Sequence, residues 1–175
     1  MARILIVYST TDGHTREICD RLRTVIEQQA HQVTLIPVAE VADADLEPCD
    51  KIVVGASIRY GKHSPLVVDF MQRNAQLLNR KASAFFSVNV VARKAAKNRP
   101  DTNPYVRKLL RRIAWRPKEV AVFAGKIDYP RYGVLDRMVI RGIMWLTGGP
   151  TDPKAVVDFT DWRKVEEFGS VIAGM

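Results

Sequence analysis

Short runs of hydrophobic residues, rich in Val and Ile, recur along the chain between longer segments with a helical pattern. Such runs are typical of strands that are covered on both faces, because a strand with one face in water alternates apolar and polar residues. The pattern predicts five strands, over Arg3 to Tyr8, Val33 to Val38, Lys51 to Ser57, Ser83 to Asn89 and Glu119 to Gly125.

Amphipathic segments separate these strands. Apolar positions at helical spacing predict helices over Thr15 to Gln29, Pro65 to Leu78 and Asp161 to Ile172. The alternation predicts an α/β fold, with a doubly wound, five-stranded parallel sheet that carries helices on both faces. Ligands of such sheets bind beyond the carboxyl ends of the strands, where the strand order reverses.

Length and composition fit one domain, residues 1–175, because 47% of the 175 residues are hydrophobic and can fill one core. No apolar run reaches the length of about 18 residues that a membrane span needs, and no signal-peptide layout is present, so we expect a cytoplasmic protein. Cys19 and Cys49 form no paired motif, and we expect buried structural thiols without chemistry. No metal site is predicted.

The net charge of +8 is concentrated in one segment. Between Val91 and Lys118 there are ten Lys or Arg residues and one acid, Asp101, so this segment carries +9 and the rest of the chain −1. We call residues 91–118 the basic insert, which precedes the last strand. Its apolar residues recur at positions i, i+3, i+4 and i+7, which predicts an amphipathic helix with Val106, Leu109, Leu110 and Ile113 on one side and Arg107, Lys108, Arg111 and Arg112 on the other.

A cluster of small polar residues lies where the first strand ends and the first helix begins. The segment Ser9 to Thr15, "STTDGHT", places hydroxyl donors and Gly13 next to the free N–H groups of a helix N-terminus. This arrangement favours a bound phosphate, although the chain has neither a GxGxxG nor a GxxxxGK[ST] motif. The alternative is an ordinary helix cap by Thr11 or Asp12.

Several motifs together resemble a known family. The stretches are "YSTTDGHTREI", "GASIRYG", "SVNVVARK", "WRP", "YPRY" and "GGPTD", in this order along nearly the whole chain. The first resembles the phosphate loop of the flavodoxins, and the ordered set resembles the menaquinone-dependent protoporphyrinogen IX dehydrogenases, a flavodoxin-like family. The resemblance implies an FMN enzyme of haem biosynthesis that oxidises protoporphyrinogen IX to protoporphyrin IX and passes the electrons to menaquinone or another membrane quinone.

Two other functions stay open on the sequence alone. A flavodoxin-type electron carrier would be expected to show an acidic docking face, and the basic insert argues against it. An NAD(P)H:quinone reductase on the same fold is compatible with the motif spacing.

The resemblance and the strand ends together predict the FMN site. Asp12 is expected to turn away from the phosphate and cap the helix. His14 is expected to lie at the loop surface and His63 in a loop, neither as a base, and no catalytic side chain is assigned. The predicted cofactor residues are Thr10, Thr11, Asp12, Gly13, His14, Thr15, Ser57, Ile58, Arg59, Tyr60, Phe86, Ser87, Val88, Asn89, Val90, Thr151 and Asp152.

Cations of the basic insert are predicted to bind the substrate, because they follow the fourth strand and a guanidinium can hold a carboxylate bidentately. These residues are Arg93, Lys94, Lys97 and Arg99. The basic side of the predicted helix in the insert has three other possible roles: a solvated surface, a site for anionic lipid, and a nucleic-acid site. Nucleic acid is not expected, because no base-stacking or groove-reading motif accompanies the charge.

The segment Tyr132 to Gly149 is more hydrophobic than a surface helix should be, even though Asp136, Arg137 and Arg141 mark a polar arc. It is too short to span a bilayer. It predicts an interfacial helix or a docking surface, or else burial under the basic insert. With the basic face, it suggests peripheral attachment to the inner face of the cell membrane.

Overall fold

A computed structural model describes residues 1–175, and its centre is a sheet of five parallel strands in the order β2-β1-β3-β5-β6. The strands are β1 (Arg3–Ser9), β2 (Gln32–Pro37), β3 (Lys51–Arg59), β4 (Lys62–His63), β5 (Ala82–Val88), β6 (Glu119–Phe123), β7 (Lys126–Asp128) and β8 (Val156–Asp158). All five predicted strands are confirmed. The short β4 pairs antiparallel with the end of β3, and β7 pairs antiparallel with β8 in a separate ribbon.

Helices cover both faces of the sheet. They are α1 (His14–Glu27), α2 (Pro65–Arg73), α3 (Ala75–Arg80), α4 (Pro104–Arg112), α5 (Val134–Thr147) and α6 (Trp162–Gly174). Residues of β1 alternate between two cores: Ile4 and Ile6 pack with α1 and α6, whereas Leu5 and Val7 pack with α2, α3 and α4. Both faces of the strand are therefore buried, which explains its continuous apolar run and confirms the doubly wound fold.

The predicted helix over 65–78 is divided at Asn74. The backbone of this residue leaves the helical region, and its Nδ2 donates a hydrogen bond to the carbonyl oxygen of Phe70 at 3.1 Å. An asparagine side chain can compete in this way for the backbone groups that a continuous helix needs. Two shorter helices result.

The amphipathic helix of the basic insert is confirmed as α4. Asn103 caps it by accepting hydrogen bonds from the backbone N–H groups of Tyr105 and Val106, at 3.2 and 3.3 Å. Val106, Leu109 and Ile113 are buried against the sheet. The four cations of the opposite side are exposed: Arg107, Lys108, Arg111 and Arg112.

Helix α5 exposes more apolar surface than an ordinary surface helix. Its two arginines bind carbonyl groups of the protein: Arg137 donates to those of Tyr129 and Tyr132, and Arg141 donates to that of Thr151. Its large apolar residues face outward and are 66–76% exposed: Val134, Leu135, Met138, Trp145 and Leu146. We call these five residues the apolar face of α5. The alternative of burial under the basic insert is therefore wrong.

Neither cysteine is in a disulfide. Cys19 is a buried residue of α1, where burial raises the pKa of its thiol, and Cys49 is half-buried. None of the helices combines the length and the apolarity that crossing a membrane requires.

Candidate functional site

A large cleft opens at the carboxyl ends of β1, β3 and β5, between α4 and α5. Its empty space, including open solvent at the mouth, is about 1110 Å³, and its size is that of a small-molecule site. The strand order reverses between β1 and β3, so the cleft lies at the switch point where doubly wound sheets bind ligands. The topology and the predicted motif positions agree on this location.

The loop between β1 and α1 forms one end of the cleft. Gly13 has a φ of +87°, and its N–H donates to Thr10 Oγ1 at 3.0 Å. Helix α1 then begins without a side-chain cap, so that amide groups of its first turn are left for a ligand. Thr15 Oγ1 is buried and has no hydrogen-bond partner. A buried hydroxyl beside free amides is the arrangement that an oxyanion completes.

Asp12 does not cap the helix, so that part of the prediction is wrong. Its carboxylate accepts two hydrogen bonds from the Arg59 guanidinium, at 3.1 and 2.9 Å. The same guanidinium also donates to Asp136 of α5, and the Tyr60 hydroxyl donates to that carboxylate as well. The Arg59 guanidinium offsets the negative charge of Asp12 in the loop between β1 and α1, and it joins that loop to β3 and α5.

Tyr60 lies in a two-residue hairpin turn and also lines the cleft. Tyr60 and Gly61 have φ values of +48° and +74°, as a type I′ turn between β3 and β4 requires. A positive φ is strained for tyrosine. The residue is 57% exposed, and the Arg59 guanidinium carbon lies over its ring, 5.4 Å from the ring centre. An exposed aromatic plane held in a strained turn is suited to stacking on a flat ligand.

A buried hydrogen-bond network supports the end of β5. His63 Nε2 lies 3.0 Å from Ser87 Oγ, which accepts from Asn89 Nδ2 at 3.3 Å. Asn89 Oδ1 accepts from the Ala92 N–H and from Asn103 Nδ2, both at 3.1 Å. The network joins the fourth parallel strand to the cap of α4. It fixes the basic insert against the cleft floor.

The two histidines lie elsewhere than predicted. His63 belongs to β4 rather than to a loop, and burial lowers its pKa to about 4, so it is neutral near pH 7. His14 is buried rather than at the loop surface. Its Nε2 lies 2.7 Å from Thr160 Oγ1, and its Nδ1 lies 3.0 Å from Glu17 Oε2. Both rings have internal partners, and neither is poised as a free base.

Most predicted cofactor residues lie together in the cleft wall, and their contact with FMN stays a prediction. Those in the wall are Thr10, Thr11, Asp12, His14, Thr15, Ser57, Ile58, Arg59, Tyr60, Val88, Asn89 and Val90. Phe86 is instead in the core, Ser87 in the buried network, and Gly13 shapes the turn. Thr151 and Asp152 lie outside the wall, where the Thr151 carbonyl binds Arg141 and Asp152 Oδ1 accepts from the Lys154 N–H.

The structure places the four predicted substrate cations outside the cleft wall. Arg93 is used internally: it donates to the carbonyl and hydroxyl oxygens of Thr147, at 3.1 and 2.9 Å, and to the Val90 carbonyl. Arg99 pairs with Asp101 at 3.1 Å, and Lys94 and Lys97 do not reach the cleft wall.

A third part of the wall was not foreseen. The segment from Gly125 to Tyr132 and the inner side of α5 contribute to it, together with Tyr105 of α4. Ile140, Ile143 and Met144 make this part apolar. The "YPRY" motif and the hydrophobic excess of residues 132–149 were the signals available, but only the fold brings the two segments to the same cleft.

Comparisons with known proteins agree with this architecture. Residues 5–154 match the flavodoxin domain. The protoporphyrinogen IX dehydrogenase [quinone] of Escherichia coli K12 is 43% identical over 98% of this chain and 94% of its own length. The enzyme of the same name from Leishmania major is 41% identical over 99% of this chain and 75% of its own.

Solved structures of flavodoxins share the fold at low sequence identity. Flavodoxin 2 from Bacillus cereus superposes with a TM-score of 0.59 at 18% identity, covering 99% of both chains. The two-electron reduced flavodoxin of Megasphaera elsdenii gives 0.59 at 13%, covering 98% of this chain and 99% of its own. These structures show the fold, and the matching domain and the sequence identities above show that this chain belongs to the flavodoxin-domain proteins and, among them, to the family of the protoporphyrinogen IX dehydrogenases [quinone].

Proposed function

We propose that this protein oxidises protoporphyrinogen IX to protoporphyrin IX and passes the electrons to a quinone, with FMN as the cofactor. Identity of 41–43% with dehydrogenases of that name, over nearly the whole chain, carries the proposal. The flavodoxin domain indicates the cofactor. In each round the porphyrinogen gives up a hydride and a proton and the quinone takes up both, so that electrons and atoms balance.

The cleft residues fit FMN. Thr15 Oγ1 and the first amides of α1 would hold the phosphate, and the Arg59 guanidinium offsets the carboxylate of Asp12 beside it. Tyr60 and the backbone at Val88 to Val90 would flank the ring. When bound there, FMN supplies the hydride-accepting and hydride-donating chemistry that no side chain of the protein can supply.

The residues of the chain bind and orient the substrate and exclude water. Tyr105, Tyr132, Ile140 and Ile143 form an apolar and aromatic wall suited to a flat macrocycle. Neither His14 nor His63 is free to act as a base, because both have internal partners and His63 is largely buried. We infer that the proton leaves to solvent or through the substrate's own pyrrole nitrogens.

We also propose that the protein attaches to the inner face of the cell membrane through α5. The apolar face of α5 is exposed, while the opposite side of the same helix lines the cleft. Docking this face at the acyl boundary would place the cleft beside a membrane quinone. The four exposed cations of α4 would add attraction to anionic lipid of about 1 kcal/mol each.

An anaerobic assay tests the proposed reaction. FMN-loaded protein is mixed with protoporphyrinogen IX and a menaquinone analogue, with and without NADPH, and protoporphyrin is followed by its fluorescence. Porphyrin formation that needs quinone but not NADPH is expected. Quinone reduction that depends on NADPH without porphyrin formation would identify a quinone reductase instead, and reduction of a partner protein alone would identify an electron carrier.

A further inference from the structure

We propose that Lys126 and Arg131, rather than cations of the basic insert, bind the carboxylate groups of the substrate. The inference rests on the proposed function, because it assigns part of the same cleft to an amphipathic tetrapyrrole with carboxylate side chains. From the sequence alone no role is assigned to Lys126, and none to Arg131 although it lies in the "YPRY" motif. The position of both residues in the folded chain supports the assignment.

Three Lys or Arg side chains line the cleft: Arg59, Lys126 and Arg131. Arg59 is already neutralised by Asp12 and Asp136. Lys126 is half-buried and Arg131 exposed, and neither side chain forms an ion pair or a hydrogen bond within the protein. The protein supplies no carboxylate partner to either cation beside the apolar wall, so an anionic ligand would be favoured there.

The two cations border the apolar part of the wall. In sequence, Ile127 follows Lys126 and Tyr132 follows Arg131. These two residues line the cleft together with Ile140 and Ile143 of α5. An apolar surface with cations at its edge complements a molecule that has a hydrophobic ring and carboxylates on one side. Asp128 also lines this region but forms an ion pair with neither cation, so their positive charges are not neutralised within the protein.

The backbone that carries the cations is held firmly. Strand β7 pairs with β8, and the Tyr132 hydroxyl accepts from the Asp128 N–H at 3.2 Å. The turn that contains Arg131 is anchored by the Tyr129 hydroxyl, which donates to the Pro150 carbonyl at 2.6 Å. Arg137 of α5 donates to the carbonyl oxygens of Tyr129 and Tyr132. A fixed backbone lowers the entropy cost of ordering a ligand at these side chains.

Substrate kinetics with an esterified analogue test the assignment. The variants are Lys126→Gln, Arg131→Gln and the double variant. The matched control, Arg163→Gln with Lys164→Gln, also removes one arginine and one lysine, from the exposed start of α6. A second control is Lys94→Gln with Lys97→Gln, in the basic insert. Each is assayed with protoporphyrinogen IX and with its dimethyl ester, and the FMN dissociation constant is measured by fluorescence.

The double variant should raise the KM for the free acid about tenfold or more, with kcat nearly unchanged, because carboxylate binding is lost equally from the ground and transition states. The KM for the ester and the FMN dissociation constant should stay at the wild-type values. Both comparison pairs should behave as wild type. An equal rise in KM for the free acid and the ester, or a larger rise in Lys94→Gln with Lys97→Gln than in the double variant, would overturn the assignment.

Two binding measurements distinguish recognition of the porphyrin carboxylates from recognition of lipid phosphate. Binding of the product protoporphyrin IX to the FMN-loaded protein should weaken in the double variant. This measurement does not depend on turnover, so a wild-type protein that oxidises no porphyrinogen would contradict the proposed function without contradicting the assignment of the two cations. Binding to phosphatidylglycerol vesicles should be unchanged. If vesicle binding falls while porphyrin binding does not, Arg131 binds lipid phosphate and the proposal is wrong.

Discussion

Replacing Thr15 by Val should weaken FMN binding and at the same time stabilise the protein without FMN. Thr15 Oγ1 is buried at the start of α1 and has no partner in the protein. Valine has the same shape, so the substitution removes the hydroxyl and little else. The two opposite effects arise because the hydroxyl is unsatisfied until a phosphate accepts its hydrogen bond.

The magnitudes follow from the lost interaction. A hydrogen bond to a charged group contributes about 1.5–3 kcal/mol, so the FMN dissociation constant should rise about 10- to 150-fold. Removing an unsatisfied buried hydroxyl should stabilise the apoprotein by about 1 kcal/mol, which corresponds to a rise in Tm of about 2–4 °C for a chain of this size.

The measurements are an FMN titration by fluorescence quenching and scanning calorimetry of the protein with and without FMN. Thr15→Ser keeps the hydroxyl and should keep most of the affinity. Thr24→Val is the matched control, since it makes the same substitution in the same helix at an exposed hydroxyl bonded to the Asp20 carbonyl. An unchanged dissociation constant in Thr15→Val, or a destabilised apoprotein, would refute the assignment of Thr15 to the phosphate.

Three further predictions concern the cleft border, the membrane and pH. Asp136→Asn should weaken the tie from α5 to Arg59 by about 1 kcal/mol and speed amide hydrogen exchange in α5; unchanged exchange would contradict a tethering role. Leu146→Asp should reduce binding to anionic vesicles at least about tenfold, because a charge replaces a 76% exposed apolar side chain, and equal binding would exclude α5 as the attachment surface. Since burial lowers the pKa of His63 to about 4, against about 6.5 in the unfolded chain, the unfolded state binds more protons and stability should fall as pH drops from 6.5 to 4, by up to about 1.4 kcal/mol per pH unit. When the free energy of unfolding is measured in urea at several pH values, the His63→Gln variant should lack this slope. The same slope in the variant and the wild type would show that other groups cause it.

Local patterns predicted the scaffold and one end of the site. The five parallel strands are apolar runs, so their existence could be read from neighbouring residues, and α4 follows from spacing within a single helix. The polar loop between β1 and α1 was also predictable, because Thr10, Gly13 and Thr15 lie within one strand-to-helix turn. The division of the second helix at Asn74 was missed, since a side-chain hydrogen bond to the Phe70 carbonyl outweighed the apolar periodicity.

The sequence by itself therefore determined the fold class, the position of the cleft at the strand ends and the hydroxyls of the loop between β1 and α1, because these depend on residues close together in the chain. Only the tertiary structure decided which charges are neutralised and which stay free. Arg59 meets Asp12 and Asp136 across 47 and 77 positions, and Arg93 reaches Thr147 across 54. Pairings at such separations depend on how the layers pack and leave no local pattern, which is why Arg93 is used internally while the cations near β7 remain available to a ligand.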